Sequence, residues 1–213
     1  MIKEFCAENF DHIPEAIELG ISRIELCDRL DLGGTTPSVA VQKETVAYAS
    51  QRGVEVMCMI RPRGGDFVYT DEEKEQLRLD AKDAVEAGVD GLVFGCLTKD
   101  GKLDKPIMEE LIAIAQTSQR QTVCHMAFDH IEPSRQRESM EWLIEKGVTR
   151  LLTRGAKTGS ALENENQLLE RIQWANDRIE ILPGGGVTHE IIPELQKRLK
   201  TNQFHGTQVV PLS

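Results

Sequence analysis

Short apolar runs alternate with amphipathic stretches along the whole chain. Four of the runs open in the same way, with a glycine and then a β-branched residue: Gly20 (GISRIEL), Gly53 (GVEVMCM), Gly88 (GVDGLVF) and Gly147 (GVTRLLT). Each glycine follows a stretch with helical spacing of apolar residues, where a left-handed residue just past the last turn stops a helix. Each run behind it is short and almost continuously apolar, the pattern of a parallel strand buried on both faces. The recurrence is that of a supersecondary unit, one strand and one helix. Extending the reading outward predicts strands at 2–8, 23–28, 54–60, 91–97, 121–128, 149–154, 179–184 and 203–209. Helices are predicted between them at 11–19, 38–52, 71–87, 105–117, 134–146, 161–176 and 189–200. Thr70 with Glu73 and Ser160 with Glu163 have the capping-box spacing, and Pro37 behind Thr36 fits a helix first turn.

Strands and helices in strict alternation, joined by right-handed crossovers, predict an α/β fold: a (β/α)8 TIM barrel formed by residues 1–213 as one domain. The rival is an open doubly wound sheet, but no Gly-x-Gly-x-x-Gly follows the first strand, where a dinucleotide fold carries it. Only Val210 to Ser213 follow Val209, so the last C-terminal helix is expected to be missing. That predicts an apolar stripe on the outer face near Phe5, Ala7, Phe204 and Gln208, and a homo-oligomer, a dimer, covering it; the alternative is a monomer in which the first and last helices lean in or the Pro211–Ser213 tail folds over.

Charge and cysteine content narrow the function. The 213 residues carry 25 Lys+Arg against 35 Asp+Glu, a net charge of −10, which argues against general nucleic-acid binding. No apolar run is long enough to span a bilayer, and no secretory leader follows Met1. The five cysteines, Cys6, Cys27, Cys58, Cys96 and Cys124, are odd in number and lack any Cys-x-x-Cys. Reduced thiols in a cytoplasmic protein are expected, and zinc-finger and thioredoxin chemistry lack their motif.

Side-chain alternation then sorts the strand residues. In a barrel one parity fills the interior and the other faces the helices, which must be the apolar one. The polar parity holds Glu4, Cys6 and Glu8; Glu25 and Cys27; Met57, Met59 and Arg61; His125, Ala127 and Asp129; and His205 with Thr207. Barrel active sites lie at the C-terminal ends of the strands, so Glu8, Glu25, Arg61, His125, Asp129, Thr153 and His205 are expected to converge in one mouth. Three glycine-bearing loops border it: GGTTPS at 33–38, RPRGGDF at 61–67 and PGGGVT at 183–188. Gly184, Gly185 and Gly186 in the last, predicted to run into a helix, have the form of an anion-cradling turn. Arg61 and Arg63, stiffened by Pro62, are planar forks suited to carboxylate or phosphate.

The motifs ELC at 25–27, GGTTPS at 33–38, IRPRGGDF at 60–67, HMAFD at 125–129 and GGGV at 184–187, in this order, resemble the CutC family. The resemblance is co-linear over essentially the whole chain. It implies a TIM barrel, a cytoplasmic location and a role in copper homeostasis, with copper bound through thiols. Two departures stand out. Longer family members continue with a further helix, and Arg154 stands where a small polar residue is expected. Cu(I) prefers thiolate and thioether donors. Cys6 and Cys27 share interior parity on neighbouring strands about 4.8 Å apart, so they can share one ion, with Met57 as a third donor; Cys58, Cys96 and Cys124 are read as wall residues. The copper ion itself comes from the resemblance; the residues permit it. The polar mouth keeps a second reading open, an enzyme acting on a small anionic phosphate or carboxylate substrate. Its catalytic groups would be Glu25, His125 and Asp129, and Arg61, Arg63, Gly184, Gly185, Gly186 and His205 would bind the anion.

Overall fold

The computed structural model describes residues 1–213. Strands β1 (Ile2–Glu8), β2 (Arg23–Cys27), β3 (Glu55–Met59), β4 (Gly91–Phe94), β5 (Gln121–Cys124), β6 (Arg150–Thr153), β7 (Glu180–Pro183) and β8 (Gln203–Gly206) alternate with seven helices. These are α1 (Ile13–Glu18), α2 (Val39–Ser50), α3 (Asp71–Ala87), α4 (Lys105–Thr117), α5 (Pro133–Glu145), α6 (Glu165–Ala175) and α7 (Ile192–Leu199). Every ladder is parallel, in the order β7-β6-β5-β4-β3-β2-β1-β8. β8 lies beside β7 without a ladder, and the ring is completed just beyond them by a bridge between Thr188 and Gln208. The result is a nearly closed TIM barrel with seven helices around it.

The two parities separate as the alternation predicts. Cys6, Cys27, Met57, Met59, Val93, Val123, Leu152 and Leu182 pack together inside the barrel. Phe5, Ala7, Ile24, Leu26, Val56, Cys58 and Cys124 belong to the larger apolar layer that also holds the buried faces of the helices. Cys96 joins that outer layer too. The first residues of the strands close the N-terminal end with a polar floor. There Arg23 bonds Glu4 and Gln203, Arg150 bonds Glu180 (2.7 Å) and Gln121 (3.1 Å), and Gln121 bonds Glu55 (2.8 Å).

Five expectations are corrected. β5 stops at Cys124 rather than 128, because the ring of His125 accepts the N–H of Ala127 and starts a 3-10 turn over Met126–His130. α7 starts at Ile192, so the glycine turn at 184–186 does not run into a helix N-terminus. Ser160 and Glu163 do exchange capping hydrogen bonds, but they close a separate turn ahead of α6; Pro37 precedes the N-cap Ser38. The predicted outer stripe is not exposed. Phe5, Ala7 and Phe204 are buried within the single chain, in one apolar layer with Val209 and Val210, and Ser213 hydrogen-bonds Glu15 at the start of α1. An irregular tail thus takes the place of the eighth helix, and the dimer expectation loses the surface that motivated it.

Candidate functional site

The C-terminal mouth holds a cavity of about 270 Å³, with two chemically different sides. On the first side, β1 and β2 pair with Cys6 opposite Glu25 and Glu8 opposite Cys27. This register brings both thiols to one carboxylate: Cys6 Sγ is 3.4 Å and Cys27 Sγ 3.6 Å from Glu25 Oε2. One donor atom from each of the three lies within 4.8 Å of the others. All five cysteines are free thiols. Gly34 brings the loop after β2 onto this group, since a Cβ there would sit 3.1 Å from Cys27 Sγ and 3.7 Å from Met59 Cε. The thioether bordering the thiols is therefore Met59, which lines the mouth. Met57 has the expected parity but lies one layer deeper, its sulfur against Gly91 of β4.

His205 of β8 ties this group to the floor. Its Nδ1 lies 2.8 Å from Glu4 Oε1 and its Nε2 3.6 Å from Glu25 Oε2. Burial alone would raise the pKa of Glu4, but His205 and Arg23 outweigh it and hold the carboxyl at about 2. Burial also disfavours the imidazolium of His205, and the acidic groups around it, Glu25, Cys6 and Glu4, raise its pKa nevertheless. For Glu25 burial outweighs the nearby His205 and, with the negative charges of Cys6 and Glu4 adding to it, raises the pKa well above the carboxylate range. The two thiols are shifted in opposite directions. The hydrogen bond from Cys27 lowers the pKa of Cys6 against the effect of burial, with help from His205, and raises that of Cys27. Cys58, Cys96 and Cys124 are raised by burial, Cys124 to about 12.

The second side is built by the segments after β5, β6 and β7: His125, Met126, Arg154, Gly185 and Gly186. His125 accepts the Ala127 N–H at Nδ1 (3.2 Å), which places its proton on Nε2. Its Nε2 has no partner in the chain, although the residue is only 4% exposed. Burial, then the nearby Arg61 guanidinium, lowers its pKa to about 3, so the ring is neutral. Arg154 directs Nε and Nη2 to the sulfur of Met126 at 3.4 and 3.3 Å, weak bonds for a guanidinium.

Of the residues expected at the mouth, Cys6, Glu25, Cys27, Arg61, His125, Gly185, Gly186 and His205 line the cavity. The others do not. Asp129 lies behind the wall, where it accepts from the Thr153 hydroxyl and the Arg154 N–H and faces Arg171 at 3.6 Å, so it does not orient His125. Glu8 accepts the N–H of Leu30. Arg63 turns outward to Glu73, Asp66 and the carbonyl of Val68. Gly184 is buried and donates to Thr153 O. Arg61 reaches the rim, but its terminal nitrogens are used by the carbonyls of Leu32, Gly33, Gly34 and Gly65. It clasps two loops together, leaving only Nε unpartnered. Two residues not selected from the sequence as site residues belong here: Arg154, visible only as an unexpected cation, and Met126, hidden by the strand pattern extended past Cys124.

A model of the CutC family matches residues 1–210. A CutC family protein of Enterococcus faecalis is 48% identical over 211 residues, covering 99% of this chain and 100% of its own. The human copper homeostasis protein cutC homolog is 38% identical over 204 residues, 96% of this chain and 72% of its own. The crystal structure of CutC from Streptococcus agalactiae superposes with a TM-score of 0.94 at 41% identity, over 99% of this chain and 100% of that one. A 3-hexulose-6-phosphate synthase superposes with a TM-score of 0.64 at 14% identity, which shows a shared barrel fold and nothing further. Motifs, barrel and relatives lead to one conclusion: the chain belongs to the CutC family.

Proposed function

We propose that this chain serves copper homeostasis in the cytoplasm by taking up Cu(I) between Cys6 and Cys27 at the barrel mouth. The observation that carries this reading is the convergence of two buried free thiols and the Glu25 carboxyl within 4.8 Å. Cu(I) is a soft ion that favours thiolate donors, and two sulfurs suffice to hold it. Cys6 has the lowered pKa the first ligand needs, and metal binding displaces the remaining proton of the pair. Met59, bordering Cys27, is the available thioether. A reducing compartment keeps both sulfurs in the binding form. The copper role of the family supports the choice of ion.

Anaerobic titration with Cu(I) against a chromogenic chelator tests the reading. The wild type is expected to withdraw one equivalent of copper. Cys6→Ser combined with Cys27→Ser is expected to withdraw none, while Cys124→Ser, which alters only the outer wall, behaves as wild type. Equal binding by the wild type and the double variant removes the proposal.

A further inference from the structure

The thiol site uses one side of the mouth and leaves the donors of the other side unexplained. Three kinds of donor gather there. The first is His125 Nε2–H, buried and unpartnered. Gly95, just after β4, is why the ring fits: a Cβ there would lie 2.7 Å from Nδ1 and Cε1. The Nδ1 edge is therefore taken by the wall and by Ala127, and Nε2, buried and without a partner, is the free donor of a residue that lines the cavity. The second is Arg154, whose guanidinium lies over Gly185 and has only the sulfur of Met126 as an acceptor. The third is the pair of backbone N–H groups of Gly185 and Gly186. Neither donates to any group in the chain, and both residues have positive φ, +85° and +71°.

We propose that His125, Arg154, Gly185 and Gly186 form a binding site for a small organic phosphate, with the phosphate on Arg154 and the two glycine amides and an ester-side oxygen on His125. Successive amides in a left-handed turn make a concave nest of N–H groups that suits a tetrahedral oxyanion. A guanidinium supplies the fork and the charge. The cradle lies after β7, one of the two rim positions where barrels of this kind bind phosphate. A buried neutral imidazole with its proton on Nε2 matches a hydroxyl or carbonyl oxygen, and it is too deep in the wall to be hydrated like the rim. The cavity then runs from this cradle toward Cys6 and Glu25, so the unphosphorylated end of the molecule faces the thiols. This assignment replaces Arg61, Arg63 and Gly184, which are engaged elsewhere, and does not depend on copper binding.

The test uses reduced, metal-free protein in phosphate-free buffer, with glycerol 3-phosphate, inorganic phosphate, acetate and glycerol as probes. Calorimetry is expected to register saturable binding of the two phosphates and none of glycerol. Histidine-selective 15N NMR is expected to show the Nε2-protonated form of His125 and a shift of its Nε2–H signal on adding glycerol 3-phosphate. Arg154→Met, which keeps the packing on Met126 and Gly185, is expected to weaken phosphate binding about tenfold or more without changing the melting temperature. The Cys6→Ser, Cys27→Ser double variant is expected to bind phosphate as wild type does, which separates this site from the copper reading. Absence of saturable binding, binding that survives Arg154→Met, or an unmoved His125 signal would overturn the site; acetate binding as tightly as phosphate would overturn its phosphate assignment.

Discussion

At the scale of single residues, two buried groups make stability depend on acid in the same direction. His125 is held neutral by burial, its pKa lowered from 6.5 to about 3. An unfolded chain takes up that proton below 6.5 and the folded one does not, so this contribution is complete above 6.5 and is lost as the pH falls toward 3. Glu4, lowered from 4.5 to about 2 against the effect of burial by His205 and Arg23, gives a second contribution, complete above 4.5 and lost as the pH falls through 2. Between 6.5 and 4.5 Glu4 does not yet titrate, and Glu25, whose raised pKa lets the folded chain keep a proton that the unfolded chain has lost, acts in the opposite direction to His125. The His125 contribution is therefore read as the difference in urea midpoint between the wild type and His125→Asn, which is expected to shrink as the pH falls from 6.5 to 4.5. A difference that stays constant over that range contradicts the assignment. The interior positions of Cys6, Glu25, Cys27 and His205 were legible because parity holds wherever the backbone stays extended. Asp129 was not, because parity ends where the imidazole of His125 turns the chain. Arg61 and Arg63 were legible as cations but not as spent ones. The partners of Arg61 are carbonyl oxygens, which every residue carries and no sequence pattern marks.

At the scale of elements, boundaries that carry their own chemistry were readable to the residue. α3 begins after Thr70 with a complete capping box to Glu73 and ends at Gly88, whose φ is +92°. α4 has a proline in its first turn, and its limits agree as well. α6 and α7 start later than their apolar spacing suggests, because the segments ahead of them are held by local turns that the spacing does not register. Gly88 isolates the cost of a left-handed helix end. A Cβ there would touch only Val46, at an ordinary 3.5 Å, so substitution adds no clash. Gly88→Ala is therefore expected to destabilise the fold by about 1–2 kcal/mol, the penalty of the left-handed conformation alone. Chemical denaturation gives the number, and an unchanged slope against denaturant verifies that the folded state is otherwise intact. A loss below the error of the measurement places the end of α3 under tertiary rather than local control.

At the scale of the molecule, a barrel of eight strands with seven helices must cover one outer face by other means. The sequence pattern left that face bare and pointed to a second copy as its cover. In the folded chain Phe5 is 4% and Phe204 0% exposed, with Val209 and Val210 buried in the same layer and Ser213 anchored on Glu15. The tail was legible only as an alternative cover, because it closes the face with two adjacent valines and no periodicity of helix or strand. Its role is tested by deleting residues 209–213. Burying one valine stabilises by about 1.5–3 kcal/mol, so losing Val209 and Val210 is expected to cost roughly twice that, a large share of the stability of a domain this size. The face then exposed is apolar and continuous, which in water favours association. The shortened chain is expected to melt at lower temperature and to sediment as a larger species than the intact chain at equal concentration. If both chains melt and sediment alike, the tail is not the cover, and the outer faces of β1 and β8 must be protected by α1 and α7 alone.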